Sequence, residues 1–269
     1  MGSDQNPPDS ARRSGGQPPI EARELVKRFG GLAAVDGMSV TVRRGELVGL
    51  IGPNGAGKTT LFNLIAGSLK PSSGTIAIGG HDVSGRGPET RIALGLGRTF
   101  QIPRPFAEMT VLENVLTGGQ RQAGERIWMN FLRPGRVAAE EKAAIDKARA
   151  LLDFVTLSKL ERAPARILSG GQRKLLELAR ILMADPETIL LDEPAAGVNP
   201  TLLELIIDRI LALNAQGKTI LLIEHNMQMV ARVCGRVIVM ATGKLLAEGP
   251  PAIVARDPAV ISAYLGEAA

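Results

Sequence analysis

The stretch Gly52-Pro53-Asn54-Gly55-Ala56-Gly57-Lys58-Thr59 constrains this chain more than any other feature. It fits the pattern G-x-x-x-x-G-K-[ST], and it stands between the apolar run Leu47–Ile51, which reads as a strand, and a helix beginning near Lys58. Glycines at these places let backbone N–H groups curl around phosphate oxygens where side chains would obstruct, and a helix N-terminus adds the positive end of its dipole. Lys58 brings a mobile point charge towards β and γ phosphates, while the Thr59 hydroxyl is a hard oxygen donor suited to Mg²⁺. With Thr60, these residues form the candidate phosphate cradle. A strand, phosphate loop and helix in this order imply an α/β chain with a parallel sheet, and ligand chemistry at the carboxyl ends of its strands.

A phosphate loop needs a second metal carboxylate and a group that orients the attacking water. Ile189-Leu190-Leu191-Asp192-Glu193 offers both. An apolar run that stops abruptly at Asp-Glu-Pro places Asp192 at the tip of a buried strand, close enough to serve Mg²⁺, with Glu193 one step beyond, towards the γ-phosphate.

Alternating segments surround these motifs. Val40–Val42 and Leu47–Ile51 read as strands flanking Arg43-Arg44-Gly45. From Ile102 to Leu168 the spacing turns helical, in Val111–Leu116 and Ala138–Phe154, with the polar Gly118–Arg126 stretch between them. A helix after Ser169 runs towards Ala184 and leads into Thr188–Leu191; a second, Leu202–Leu213, ends near Gly217 and leads into the strand Thr219–Ile223. The expected organisation is a tail over 1–19, an N-terminal β subdomain and phosphate-loop part over 20–101, a helical subdomain over 102–168, a helix and catalytic core over 169–249, and a C-terminal helical segment over 250–269. No internal repeat is visible, so one nucleotide unit is expected.

Composition narrows the class. With 269 residues and 45% hydrophobic content the chain buries a substantial core, although Met1–Pro19 has almost nothing apolar and reads as a flexible tail. The net charge of +5 is scattered rather than gathered into a basic run, so no nucleic-acid partner is expected. A single cysteine, Cys234, excludes an internal disulfide framework and fits a reducing compartment. No stretch approaches the roughly 18–20 apolar residues that span a bilayer, and the N-terminus lacks a secretory signal, so membrane contact is expected only through a partner.

Phosphate loops are widespread, and it is the helix after Leu168 that narrows the choice. Leu168-Ser169-Gly170-Gly171-Gln172 resembles the signature of ABC ATPases and precedes the Asp192 strand, as in that family. It reads as a second anion site: Ser169 can cap the helix, while Gly170 and Gly171 leave backbone N–H groups open. The resemblance covers Ile20–Gly266 and assigns further roles. Gln101 stands where the family's Q-loop glutamine reaches the metal and the attacking water. His225 corresponds to the histidine that hydrogen-bonds the γ-phosphate, and Phe29 to the aromatic that stacks on adenine. Implied with these are ATP and Mg²⁺, a RecA-like P-loop core with an antiparallel β subdomain and a helical subdomain, and a head-to-tail dimer. In that dimer Ser169 and Gly171 of one subunit close over the ATP held by Lys58 of the other.

Ala195-Ala196-Gly197-Val198-Asn199 departs from the common Ser-Ala-Leu-Asp loop, because Asn199 cannot carry the usual charge. This form is similar to the ATPases of branched-chain amino acid importers. So are Gln101-Ile102-Pro103-Arg104, the polar connection Thr117–Val137, Asp257-Pro258 and Ala263-Tyr264-Leu265-Gly266. The resemblance implies the larger ATPase subunit of such an importer, peripheral to the cytoplasmic face of the inner membrane. Its implied partners are a second ATP-binding subunit, two transmembrane permease subunits and, indirectly, a periplasmic binding protein. A lipopolysaccharide-exporter-type ATPase shares the Ala-Tyr-Leu-Gly ending but usually keeps aspartate at the Asn199 position. Soluble ABC ATPases of DNA repair or translation typically carry two cassettes or coiled-coil insertions. A phosphotransferase would have no use for Ser169–Gln172 or His225.

Overall fold

The computed structural model describes residues 16–99, 104–119 and 134–265, with the side chains of 134–137 set aside. Most of the expected tail, Gln101 with its immediate neighbours, and most of the Thr117–Val137 connection lie outside the described residues.

Ten strands occur in chain order among them: β1 Ile20–Phe29, β2 Leu32–Val42, β3 Leu47–Ile51, β4 Ser73–Ile78, β5 His81–Asp82, β6 Leu96–Arg98, β7 Thr188–Asp192, β8 Thr219–Ile223, β9 Arg236–Ala241 and β10 Lys244–Gly249. They form two sheets. One is antiparallel in the order β2-β1-β4-β5; the other runs β10-β9-β3-β8-β7-β6, parallel except for the β9–β10 edge pair.

Every residue of β3, β7 and β8 is buried. Parallel strands covered on both faces read as near-continuous apolar runs, and Leu-Val-Gly-Leu-Ile, Thr-Ile-Leu-Leu-Asp and Thr-Ile-Leu-Leu-Ile are such runs. Because successive side chains alternate, each strand feeds two cores. Val48, Leu50, Leu190, Leu221 and Ile223 join Leu61, Phe62 and Ile65 of the Lys58–Ala66 helix, together with apolar residues of β1 and β2. Ile189, Leu191, Ile220 and Leu222 face the other way, onto Leu175, Leu176 and Ala179 of the Gly170–Leu182 helix and Ile206 and Ile210 of the Pro200–Ala215 helix.

Helix limits follow local chemistry. Thr110 and Glu113 form a reciprocal capping box that starts the Val111–Leu116 helix. The long helix runs Pro134–Phe154, starting before Ala138 on a proline, a residue tolerated in the first turn because its missing N–H has no intrahelical partner there. The Lys58–Ala66 helix ends on left-handed Gly67. Its last carbonyls meet the fully buried Arg91, whose Nε donates to Ile65 O at 2.7 Å and whose remaining donors reach backbone carbonyls of Leu64, Arg86 and Gly87.

Candidate functional site

The phosphate loop takes its shape from close packing. Gly52 has φ +144 and Gly57 φ +95; a Cβ on the first would lie 2.1 Å from Met240 O, and on the second 2.1 Å from Ala34 O. Only glycine fits either place. The turn after β9 braces the loop, Gly243 N donating to Ala56 O at 3.0 Å. No side chain caps the helix that begins at Lys58, which leaves its N-terminal donors to an external acceptor. Lys58 is only 6% exposed, and its Nζ donates to Gly52 O and Pro53 O, both at 2.7 Å, so the ammonium lies folded along the loop. Asn54, Gly55 and Thr59 are exposed, Pro53 and Thr60 half-buried and Ala56 buried.

Sheet order brings the acidic residues to this loop. β3 lies between β8 and β9, and β8 pairs in turn with β7. Parallel register sets Leu50 beside Ile223 and Ile223 beside Asp192, so Gly52, Glu193 and Glu224 all follow carboxyl ends of neighbouring strands. Asp192 is buried, and burial raises its carboxyl above the usual range while Arg98, at 3.2 Å, pulls it back. Thr99 Oγ1 accepts from Asp192 N at 3.1 Å. Glu193 adopts the left-handed φ of +48, and its Oε1 lies 3.1 Å from His225 Nε2.

Glu224, between β8 and His225, organises the turn. Its buried carboxylate accepts from Ala195 N at 2.6 Å, His225 N at 2.9 Å and Asn226 N at 3.1 Å, tying the segment after β7 to the end of β8. The sequence signal was an acid directly after a buried strand, which by itself does not name these three donors. Arg98 and Lys174, which reach Asp192 and Glu193, carried no local signal.

Ser169, Gly170, Gly171 and Gln172 close on one another at a separate helix start. Ser169 Oγ accepts from Gln172 N at 3.3 Å and Gln172 Oε1 accepts from Ser169 N at 3.0 Å. A Cβ on Gly170 would meet nothing within 4 Å, whereas on Gly171 it would lie 2.1 Å from Leu202 Cδ2. Gly170 therefore presents an open surface, and Gly171 is small because the Pro200–Ala215 helix packs there. Asn199 caps that helix, its side chain accepting from Leu202 N at 2.9 Å. Phe29 ends β1 with 49% exposure, and Lys27 Nζ lies 5.2 Å from its ring centroid. Gln101 lies outside the described residues.

These donors fit a nucleotide with a divalent ion. Among the described residues no group of three or more His, Cys, Asp or Glu is placed to hold a metal. A magnesium ion bound with a nucleotide needs only one or two protein oxygens, because phosphates and waters supply the rest. The Thr59 hydroxyl and the Asp192 carboxylate are of that kind.

Comparison with known proteins gives a consistent result. The ABC transporter family profile matches residues 35–196, and the branched-chain amino acid ATP-binding cassette transporter profile matches 244–269. The chain is 40% identical over 253 residues to the high-affinity branched-chain amino acid transport ATP-binding protein LivG of Salmonella typhimurium, covering 94% of this chain and 99% of that one. It is 38% identical over 247 residues to the probable LivG protein of Archaeoglobus fulgidus, covering 92% and 95%. A solved ATP-binding cassette of an ABC transporter in its ADP conformation superposes with a TM-score of 0.79 at 38% identity, over 93% of this chain and 99% of that one.

Proposed function

The chain belongs to the ABC transporter family of ATP-binding cassettes, and from that premise we propose that it binds and hydrolyses ATP to drive import of branched-chain or related amino acids. One observation carries the hydrolytic part: Glu193 and His225, 3.1 Å apart, follow the ends of β7 and β8, and β8 lies between β7 and β3, the strand that feeds the phosphate loop. The relatives' printed function and the match at 244–269 support the transport part.

In this reading Gly52–Gly57 and Lys58 hold the β and γ phosphates, with Thr60 beside them, and Phe29 stacks on the base. Thr59, Asp192 and Gln101 would hold Mg²⁺, which when bound neutralises phosphate charge. Glu193 accepts a proton from the water whose oxygen bonds to the γ-phosphorus, while the bond from that phosphorus to the bridging oxygen breaks and ADP leaves. His225 hydrogen-bonds the γ-phosphate and, across 3.1 Å, orients the Glu193 carboxylate.

Ser169, Gly170, Gly171 and Gln172 serve the ATP of a second ATP-binding subunit, for which the open face of Gly170 leaves room. Among the described residues no helix is long and apolar enough to cross a membrane. In this reading the chain works at the cytoplasmic face of the inner membrane through two permease subunits, with a periplasmic binding protein acting through them, and the relatives' printed transport function supports it. The test is ATPase rate in liposomes with and without the permease subunits and the second ATPase subunit. Stimulation is expected, and equal rates would point instead to a soluble ABC ATPase.

A further inference from the structure

Glu193 holds a backbone conformation that residues with a side chain rarely adopt, at φ +48. Such a turn persists only where its surroundings over-determine it. Glu193 N donates to Ile223 O at 3.0 Å, fixing one side of the peptide to the end of β8. On the other side Glu193 O accepts from Ala196 N at 3.2 Å and from Lys174 Nζ.

Lys174 does not belong to the catalytic turn. It is the fifth residue of the Gly170–Leu182 helix, half-buried, and its ammonium feels the carboxylates of Glu224, Glu193, Glu177 and Asp192. A half-buried lysine directed at a backbone carbonyl is costly as a surface device, because its long stem must be ordered to reach one acceptor. It makes sense as a strut.

We propose that Lys174 is a positioning residue: its ammonium pins the Glu193 carbonyl, holds the left-handed turn and so aims the Glu193 carboxylate at the attacking water. The inference rests on the reading of Glu193 as the base that activates that water. It also ties the helix beginning at Ser169 to the catalytic turn of the same chain, so the two move together.

Lys174→Met keeps the apolar stem and removes the donor; Lys174→Arg keeps a charged donor. Both are compared in the full chain with wild type, with Glu193→Gln and with Lys174→Met on the Glu193→Gln background. The readouts are single-turnover ATP hydrolysis at saturating Mg-ATP, ATP affinity by calorimetry and thermal melting. The Lys174→Met rate should fall about 10- to 100-fold, the scale of a misplacement near 1 Å, with ATP affinity unchanged. Lys174→Arg should recover most of that loss. On the Glu193→Gln background Lys174→Met should cost nothing further, since the carboxylate it aims is gone.

A wild-type rate in Lys174→Met overturns the proposal, as does an equal loss on both backgrounds or a parallel loss of ATP affinity. Should the Met variant lose its melting transition, Lys174→Gln, whose uncharged amide ends one atom short of the lysine ammonium, takes its place with the same expected loss. A wild-type rate in Glu193→Gln refutes the base assignment itself. An inactive Glu193→Gln beside an unaffected Lys174→Met refutes Lys174 alone.

Discussion

Gly57→Ala tests whether packing dictates the shape of the phosphate loop. The added methyl would sit 2.1 Å from Ala34 O on a backbone at φ +95. A left-handed conformation costs a residue with a Cβ about 1–2 kcal/mol. Relieving a clash with backbone, which cannot swing aside as a side chain can, adds about 1–3 kcal/mol on the scale of overpacked cores. The sum, about 2–5 kcal/mol, corresponds to a melting temperature lower by about 4–20 °C for a chain of this size. Gly55→Ala supplies the control. Gly55 is also left-handed, at φ +69, but its Cβ would meet nothing within 4 Å, so only the dihedral cost of about 1–2 kcal/mol applies. Calorimetric melting without nucleotide measures both. A second scan with Mg-ATP reads binding through the rise in melting temperature, and that rise should shrink in Gly57→Ala, because the clash moves the donors that face the phosphates. Equal losses in the two variants, or a Gly57→Ala protein as stable as wild type, would refute the packing argument.

Two further outcomes follow from single contacts. Lys58→Ala removes the ammonium that now bridges Gly52 O and Pro53 O and that is proposed to meet the β and γ phosphates; ATP affinity by calorimetry should fall steeply, and unchanged affinity would count against the assignment. Asn199→Ala should lower stability by about 0.5–2 kcal/mol through loss of a helix cap, while Asn199→Asp, which keeps the acceptor, should melt as wild type does; equal melting of both variants would show that the cap contributes nothing.

Asn199 also shows where sequence reading stopped. The sequence marked it as a departure from a charged loop residue, and the structure supplies the physical role: an N-cap needs an acceptor oxygen one turn from an N–H, and asparagine has one without the charge. Gly171 is similar. Its smallness read as room for a phosphate, whereas the described structure places Leu202 against it, thirty-one positions on in the chain.

What the sequence alone determined is what short-range chemistry controls. A glycine-rich turn between an apolar run and a helix, an apolar run ending in Asp-Glu, and a serine three residues before a glutamine each specify their backbone within a few residues, so the loop, the β7 tip and the capping box could be read from spacing. Tertiary structure decided the rest. That β3 lies between β8 and β9, that Arg98 meets Asp192, that Arg91 closes the carbonyl end of the phosphate-loop helix and that Lys174 reaches the Glu193 carbonyl all depend on how the sheet orders strands far apart in the chain. A long cationic side chain is compatible with many partners. Which carboxylate or carbonyl it meets is settled only when two packed cores bring those partners within hydrogen-bonding distance and exclude the water that would otherwise compete.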